Sequence, residues 1–401
     1  MVELAHQQSN ILARFASGLL ELASRTYVRF ASLIGVLIFL AYVVITIATA
    51  YILPEANWDM LPYLAVAEEA KYPDPVALHD FAYGAVKAAV PAADYEALTN
   101  DGGGFRTHMA ENPTDFVSLL GMYRVKFLYG QIISVVSTFV TPVAALRLVS
   151  AFSAVLFAGF VLAWLRSAKA LALAPLFVGL MIFCGFSEAT RVGTPDLLCA
   201  ALFLGGLYSF TVKREWLTAT LLTLAFLVRP DNIVFIGIFG ILLLVYGQKS
   251  LGAFIAFAAC FIGYFAVSHF SHHPGWWPHL YFSSIEQHQN MTDFHPAFSL
   301  SLYAHAFGAS LLRSLEYNDW IGVCVLALGL WLLADRAGYK LTGRPGVLFA
   351  ALVLSVLAKF VVFPIHDTRV YLPALLPPFL VLLPALQSLC RKSLISKGVS
   401  S

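Results

Sequence analysis

Long apolar runs are the feature that most limits how this chain of 401 residues can fold. A helix that crosses the hydrocarbon core of a bilayer needs about 20 apolar residues, and shorter runs serve where neighbouring helices shield them. Charged residues make up only 12% of the chain, whereas about a quarter is usual in soluble domains. The sequence therefore predicts an all-α, polytopic membrane protein that forms a single membrane domain over residues 1–401.

Ten apolar runs are predicted to be membrane-spanning helices. They are residues 31–53, 144–165, 170–186, 196–212, 217–229, 232–247, 251–270, 320–334, 346–363 and 370–389. No internal repeat or flexible linker divides them, and residues 54–143 and 271–319 remain as two larger loops. In the first loop, apolar residues recur at helical spacing in 57–70, 76–91 and 113–140, which predicts short helices.

Lysine and arginine residues indicate the orientation, because short loops that carry them are retained in the cytoplasm. They precede the first span, fall in alternate loops and close the chain: Arg14, Arg25, Arg29, Arg166, Lys169, Lys213, Arg214, Lys249, Arg336, Lys340, Arg344, Arg391, Lys392 and Lys397. This pattern predicts cytoplasmic termini and places both larger loops outside. Residues 1–30 predict an in-plane amphipathic helix on the inner leaflet, with a cleaved signal peptide as the alternative.

Net charge and cysteine spacing argue against two other classes of function. The formal net charge is +2 and no block of lysine and arginine is present, so nucleic acid is not a predicted partner. The five cysteines lie in or at the end of apolar runs without CxxC spacing and indicate neither disulfides nor a zinc site. The histidines of 271–319 match no standard ligand spacing, so no metal or cofactor is predicted, and a divalent cation is left open.

Asp59 is the first charged residue that stands out of place. It follows the first span closely, between Trp58 and Tyr63 in "ANWDMLPYLA". An ionisable residue at a membrane boundary costs free energy unless it is solvated or paired, which suggests a cavity that opens to the outer face. The alternative is that Asp59 caps the helix that starts near Met60.

Three short outer turns each place an arginine near a carboxylate. They read "TRVGTPDLL", "LVRPDNIV" and "HDTRVYLP", and they contain Arg191 and Asp196, Arg229 and Asp231, and His366, Asp367 and Arg369. Arginine binds phosphate through a planar fork of donors, and Lys359 points to the same region. Helix caps and side chains that snorkel to the headgroups are the alternative at each turn. Trp276 and Trp277 can bind a sugar ring or belong to an interfacial aromatic belt.

The chain resembles the GT-C superfamily of integral membrane glycosyltransferases. The resemblance rests on "NWDMLPYLA", "YRVKFLY", "RVGTPDLL", "VRPDNIV" and "DTRVYLPALLPPFLVLL", and on the order of one span, a long outer loop and short spans joined by tight turns. Members transfer a sugar from a polyprenyl-phosphate donor. The resemblance implies a multi-pass protein of the bacterial inner membrane that modifies a glycan or glycolipid acceptor on the periplasmic or extracellular side, in cell-envelope synthesis.

The resemblance also implies roles for the candidate residues. Asp59 would be the catalytic base, and Glu68 or Glu69 is the alternative because many members carry an adjacent acidic pair that is absent at Asp59. The donor phosphate would be bound by Arg369, His366, Arg229, Arg191 and Lys359. Trp58, Tyr63, Asp196, Asp231, Asp367, Trp276 and Trp277 complete the predicted substrate-binding set. Attack opposite the phosphate would invert the anomeric centre.

Two other functions are open at this point. A transporter or flippase of a lipid-linked substrate is expected to show repeated halves and polar residues near the bilayer midplane, and the sequence shows neither. An outer-face acyltransferase needs a histidine-centred nucleophile arrangement that residue spacing does not reveal. Residues Asn290-Met291-Thr292 also form an N-glycosylation sequon.

Overall fold

The fold is given by a computed structural model that describes residues 2–317 and 319–388, without the side chains of 2–16 and 20–28. Every regular element in these residues is a helix, which confirms the predicted all-α class. The α-helices are α1 (Val2–Ile52), α2 (Met60–Glu68), α3 (Pro75–Lys87), α4 (Ala92–Thr99), α5 (Phe105–Glu111), α6 (Pro113–Ser118), α7 (Gly121–Arg124), α8 (Phe127–Ser137), α9 (Pro142–Ser167), α10 (Ala174–Phe183), α11 (Phe186–Arg191), α12 (Asp196–Thr211), α13 (Glu215–Val228), α14 (Ile233–Val245), α15 (Leu251–Phe270), α16 (Trp276–Ser284), α17 (Leu300–Tyr317), α18 (Trp320–Arg336), α19 (Gly343–Val362), α20 (Leu372–Leu375) and α21 (Pro377–Val381). Three 3₁₀ helices, Leu171–Leu173, Pro230–Asn232 and Thr368–Tyr371, precede α10, α14 and α20.

Among the described residues, five helical segments are long and apolar enough to cross a membrane, as a membrane protein requires. They are Arg29–Ile52, Pro142–Ser167, Leu251–Phe270, Gly343–Val362 and Thr368–Ser388, and each overlaps a predicted span. Two bent pairs, Pro113–Arg124 with Phe127–Ser137 and Leu300–Tyr317 with Trp320–Arg336, raise the number to seven if each pair crosses as one unit. Four shorter apolar helices, Leu171–Phe183, Asp196–Thr211, Glu215–Val228 and Pro230–Val245, overlap four further predicted spans. The count of ten spans therefore stays a prediction.

The first helix continues through the predicted junction between an in-plane segment and a span. Phe30 has non-helical backbone angles, with φ of −115° and ψ of 18°, so α1 is kinked where the junction was predicted. Most side chains of the predicted amphipathic segment lie outside the described residues. The same holds for Arg391, Lys392 and Lys397, on which the predicted location of the C-terminus partly depends.

The core of the bundle is built around α12. Nearly all of its residues are buried, and a helix that is apolar on every side is stable only when neighbours cover it. It packs between α9 and α13 and also contacts α20. Further out, α13 packs against α15, α14 packs against α15 and α19, and α1 packs against α9, α10 and α11.

The hairpin of α12 and α13 has two different ends, which we call the turn end and the loop end. At the turn end, only residues 212–214 join the two helices. Residues 53–141 and 271–299 cover the loop end, where the Tyr129 hydroxyl donates to the carbonyl of Gly193 at 2.6 Å. The Trp276 indole likewise donates to the carbonyl of Val362 at 2.7 Å. Asp196 begins α12 and Arg229 directly follows α13 at this end.

Residues 53–141 fold into the short helices α2–α8, and each stretch of helical spacing in the sequence contains at least one of them. They contact the second loop closely. A Cβ atom on Gly121 would lie 2.5 Å from the backbone oxygen of His272, so glycine permits this approach. The amide of Asn290 donates to Asp115 at 2.5 Å, so the sequon side chain is engaged between the loops. The close approach at Gly121 places α7 against His272.

Candidate functional site

A cavity of about 580 Å³ lies at the loop end, where the ends of α12, α13, α14 and α19 meet. Its size is within the range of ligand-binding cavities. The residues that line it include Asp59, Tyr63, Tyr123, Lys126, Asp196, Arg229, Asp231, Phe261, Tyr264, Phe265, His273, Trp276, His279, Lys359, Val362, Phe363 and Arg369. Eight of the thirteen residues in the predicted base, phosphate-binding and substrate-binding sets line this cavity: Asp59, Tyr63, Asp196, Arg229, Asp231, Trp276, Lys359 and Arg369.

Asp59 is held at the cavity wall by contacts of its carboxylate rather than by a capping bond. It occupies the N-terminal position of α2, but its side chain makes no capping hydrogen bond. Instead, the Tyr123 hydroxyl donates to its Oδ1 at 3.0 Å, and Arg369 Nη2 lies 3.6 Å from its Oδ2. Burial, followed by the charge of Asp59, raises the pKa of the Tyr63 phenol, which therefore stays protonated beside the carboxylate. This geometry favours the cavity interpretation of Asp59 over the capping one.

Arg369 is fixed from behind by its neighbour Asp367. The carboxylate of Asp367 accepts from Arg369 Nε at 2.6 Å and from its backbone nitrogen at 3.1 Å. The guanidinium is 16% exposed, and its Nη1 is buried without a hydrogen-bond partner in the described part of the chain. Because a buried donor without a partner costs free energy, this nitrogen marks a position where an acceptor from a ligand would be stabilising.

Arg229 and Lys359 are paired with carboxylates inside the same cavity. Arg229 contacts Asp196 and lies 3.0 Å from Oδ2 of Asp231. Lys359 Nζ lies 2.6 Å from the same oxygen and donates to the carbonyl of Val370 at 2.7 Å. The cluster therefore joins the ends of α12, α13, α14 and α19, and its two cations are already neutralised.

Lys126 is a cavity cation that the sequence analysis did not single out. Its Nζ donates to the carbonyl of Met122 at 2.5 Å and lies 5.1 Å from the centre of the Tyr123 ring. It forms no ion pair with a carboxylate in residues 2–317 and 319–388. Four cations (Lys126, Arg229, Lys359, Arg369) and three carboxylates (Asp59, Asp196, Asp231) line the cavity, so its net charge with neutral histidines is positive. The place of Lys126 in the stretch "YRVKFLY" is the only sequence signal that could have identified it.

One wall of the cavity is aromatic and faces away from the protein core. Phe261 and Phe265 on α15 line the cavity and are 51% and 61% exposed. Their rings are 5.3 Å apart, and α15 is one of the five segments apolar enough to cross a membrane. Trp276 and Val362 extend this wall. A ligand with a charged head and an apolar chain matches this division of the lining.

Five residues of the predicted site lie outside the cavity lining. Trp58 packs between Phe105 and Phe116 and, with Arg191, borders a separate cleft of about 500 Å³. Arg191 lies 3.7 Å from a carboxylate oxygen of Glu55. The structure does not bring Trp58, Arg191, His366, Asp367 and Trp277 to the cavity surface. Asp367 acts on the cavity only through its hydrogen bonds with Arg369. These five residues lie outside the lining because packing between the loops sets their positions, and the turn sequences do not encode that packing.

The alternative base residues also lie elsewhere. Glu69 forms an ion pair with Arg124 at 2.8 Å, and Glu68 forms one with Lys71 at 2.5 Å. Neither lines the cavity. Within the described ranges, no group of three or more His, Cys, Asp and Glu side chains is arranged to hold a metal ion.

No protein-family model, curated protein or solved structure matches this chain. Its function is therefore inferred from the residues of the cavity, since the chemistry of a site carries more information on function than a fold does.

Proposed function

We propose that this chain is a membrane glycosyltransferase of the GT-C type, which moves a sugar from a polyprenyl-phosphate donor to a hydroxyl of a glycan or glycolipid acceptor. The observation that carries the proposal is the composition of one cavity. It combines a carboxylate without a capping role, cations with unused donor capacity and an aromatic wall on an apolar helix. The carboxylate suits the acceptor hydroxyl, the cations suit the donor phosphate, and the aromatic wall suits the polyprenyl chain.

Asp59 is the proposed general base. The acceptor oxygen attacks the anomeric carbon, its proton passes to the Asp59 carboxylate, and the bond from the anomeric carbon to the phosphate oxygen breaks with its electron pair left on the phosphate. Tyr123 and Arg369 hold the carboxylate in place. General-base assistance contributes about 10²–10⁴ in rate. Attack from the side opposite the phosphate inverts the anomeric centre.

The cations are proposed to bind the donor phosphate and to stabilise the charge that develops on it. Arg369 and Lys126 come first, because one has a buried donor without a partner and the other has no carboxylate partner in the described chain. Arg229 and Lys359 are next, since Asp196 and Asp231 already bind them. Preorganised charge in a water-poor site is often the largest contribution to catalysis.

The aromatic wall is proposed to receive the first isoprene units of the donor chain from the bilayer. In this arrangement the loop end faces the periplasm or the extracellular side of a bacterial inner membrane, both termini are cytoplasmic, and ten helices span the bilayer. The shorter apolar helices α12 and α13 support this count, because α12 is shielded by neighbours on every side. Arg191 and His366 do not belong to the proposed phosphate site, because neither lines the cavity.

The proposal is tested by sugar transfer in proteoliposomes with polyprenyl-phosphate sugars as donors. Asp59→Asn keeps the size of the side chain but cannot accept the proton, so transfer should fall by about 10² or more while donor binding is kept. Glu69→Gln is the matched control, because Glu69 is a carboxylate outside the cavity, and its turnover should be near normal.

Normal turnover by Asp59→Asn would remove Asp59 from the mechanism. Donor binding by the wild-type protein without transfer to any glycan acceptor, but with movement of the donor between leaflets, would replace the transferase by a flippase.

A further inference from the structure

Two histidines of the cavity wall, His273 and His279, are joined by a hydrogen bond that the proposed mechanism does not use. The Nε2 of His273 lies 3.0 Å from the Nδ1 of His279. The backbone nitrogen of Gly275 donates to the Nδ1 of His273 at 3.1 Å. Both side chains line the cavity.

These two bonds fix which ring nitrogens carry protons. An amide nitrogen can only donate, so Nδ1 of His273 accepts and its neutral ring carries its proton on Nε2. That Nε2–H then donates to Nδ1 of His279, whose neutral ring carries its proton on Nε2 in turn. The chain of bonds from Gly275 thus ends in an N–H group on His279.

The Nε2–H of His279 is accessible and unpartnered. It forms no hydrogen bond within the described residues, and it does not belong to their buried unpartnered atoms, so the space it reaches is the cavity that His279 lines. Phe363 packs edge-on against the His279 ring, with the ring centres 5.1 Å apart. Lys126, Arg229 and Asp231 act on the same ring electrostatically. The N–H group therefore lies with the cations that are proposed to bind phosphate.

We propose that His279 donates an uncharged hydrogen bond from Nε2 to an oxygen of the phosphate bound in this cavity, and that His273 is the positioning residue that fixes its tautomer. The inference rests on the phosphate-binding part of the proposed function. It adds a neutral donor to a set of charged ones.

Burial keeps the pair neutral. Burial and the nearby Lys126 lower the pKa of His273 to about 4. Burial also lowers the pKa of His279 well below its usual range, helped by Lys126, His273 and Arg229 and opposed by Asp231. A neutral donor adds to phosphate binding without increasing the repulsion among the four cations.

The first test is ¹⁵N NMR of histidine-labelled full-length protein in nanodiscs at pH 7, with assignment by His273→Gln and His279→Gln. Both rings are expected in the neutral Nε2–H form, and farnesyl phosphate or inorganic phosphate should shift the Nε2–H signal of His279. A shift with farnesyl phosphate but not with inorganic phosphate would show that binding needs the apolar wall. A shift with both probes would show that the phosphate group suffices, and either result supports the donor. A proton on Nδ1 of His279, or an unchanged signal at saturating ligand, overturns it.

The second test compares two substitutions by probe affinity. His279→Gln retains an N–H donor and should bind farnesyl phosphate within about threefold of wild type. His279→Phe removes the donor and should bind about tenfold more weakly, the loss expected for one hydrogen bond. His288→Phe is the control, because His288 is an exposed histidine of the same loop that does not line the cavity. Equal affinity of His279→Phe and His279→Gln would contradict the donor role.

These outcomes separate the inference from the proposed function. A protein that binds farnesyl phosphate through His279 but transfers no sugar disproves the transferase and keeps the donor. A protein that transfers sugar, and whose affinity for farnesyl phosphate is unchanged in His279→Phe, keeps the transferase and disproves the donor.

Discussion

Two clusters of charged residues join helices at opposite ends of the α12–α13 hairpin, about 20 Å apart along α13, and they are built differently. At the turn end, the carboxylate of Glu215 accepts from Arg344 at 2.8 Å, from the Ser250 hydroxyl at 2.6 Å and from the backbone of Gly252 at 2.8 Å. The Arg344 guanidinium also lies over the Phe210 ring, 4.4 Å from its centre. This cluster is closely packed.

The loop-end cluster has more charges, with four cations and three carboxylates against the single Glu215–Arg344 pair, and it surrounds a cavity. Arg369 has a buried nitrogen without a partner among the described residues, whereas no such atom belongs to Glu215, Arg344 or Ser250. Lys126 has no carboxylate partner in the same part of the chain. The comparison indicates that unused donor capacity beside an open volume, rather than the presence of charge, distinguishes a binding site from a structural joint.

The strongest way to break this comparison is to remove the arginine from each cluster. Arg369→Ala should weaken farnesyl phosphate binding by about 10²-fold or more, because loss of one partner of a buried charge pair costs about 3–5 kcal/mol. Arg369→Lys should restore part of the affinity, since the charge returns without the planar fork. Equilibrium binding to the purified protein in nanodiscs measures both.

Arg344→Ala is the matched control at the turn end. It removes the partner of Glu215 and should lower the melting temperature while the folded protein keeps its affinity for the probe. Equal losses of affinity in Arg344→Ala and Arg369→Ala would abolish the distinction between the two ends.

A smaller effect is expected from filling space at the turn end. A Cβ atom on Gly252 would lie 2.1 Å from the backbone oxygen of Glu215, and overpacking of this kind lowers the free energy of unfolding by about 1–3 kcal/mol. Gly252→Ala should therefore melt earlier and still bind the probe. In Gly237→Ala, a helical position where the new atom meets nothing within 4 Å, stability should not fall. Unchanged stability of Gly252→Ala would show that the joint is loose.

The smallest expected effect is a pH dependence of the free energy of unfolding, which arises at the loop end and not at the turn end. The lowered pKa values of His273 and His279 mean that the unfolded chain binds protons more readily than the folded one. The contribution of these histidines to the free energy of unfolding is therefore fully present above about pH 6.5, and for His273 it is lost as the pH falls toward about 4. From pH 7 to pH 6 the expected loss is less than about 1 kcal/mol for each histidine. Thermal unfolding at the two pH values measures it.

Replacing both histidines by glutamine should remove this part of the pH dependence. Lys126, Arg229 and Asp231 are the charged groups that act on them, and burial lowers the pKa of Lys126 only to about 8, above this interval. At the turn end, burial is outweighed by hydrogen bonds from Ser250, Arg344 and Gly252, which lower the pKa of Glu215 and move its titration further from this interval. The same slope in the double variant would assign the effect to other residues.

The sequence predicts much of the fold and part of the site, for identifiable reasons. Apolar length and helical spacing depend on local residues, so the long spans and the short helices of residues 53–141 lie near their predicted places. Asp59, Arg229, Lys359 and Arg369 stand at the ends of predicted spans, and helix ends at the same face of a bundle converge. These four residues do line one cavity.

Residues that depend on loop packing were not predictable in this way. Lys126 and His279 reach the cavity because the two loops pack together at Gly121 and His272, and no local pattern encodes that contact. Like Arg229, Arg191 is followed by a Pro-Asp pair in its turn, but it pairs with Glu55 instead of lining the cavity. A charge at a helix end indicates which face a residue belongs to, whereas its partner is set by tertiary structure.

The exposed aromatic wall on α15 also decides which measure of concentration applies to this cavity. Phe261 and Phe265 are apolar, line the cavity and face away from the protein core, so a ligand that enters past them is drawn from a two-dimensional solution. Its occupancy then depends on its mole fraction in the bilayer and not on its molarity in the sample. Adding carrier lipid at a constant amount of ligand dilutes such a ligand, while adding buffer does not.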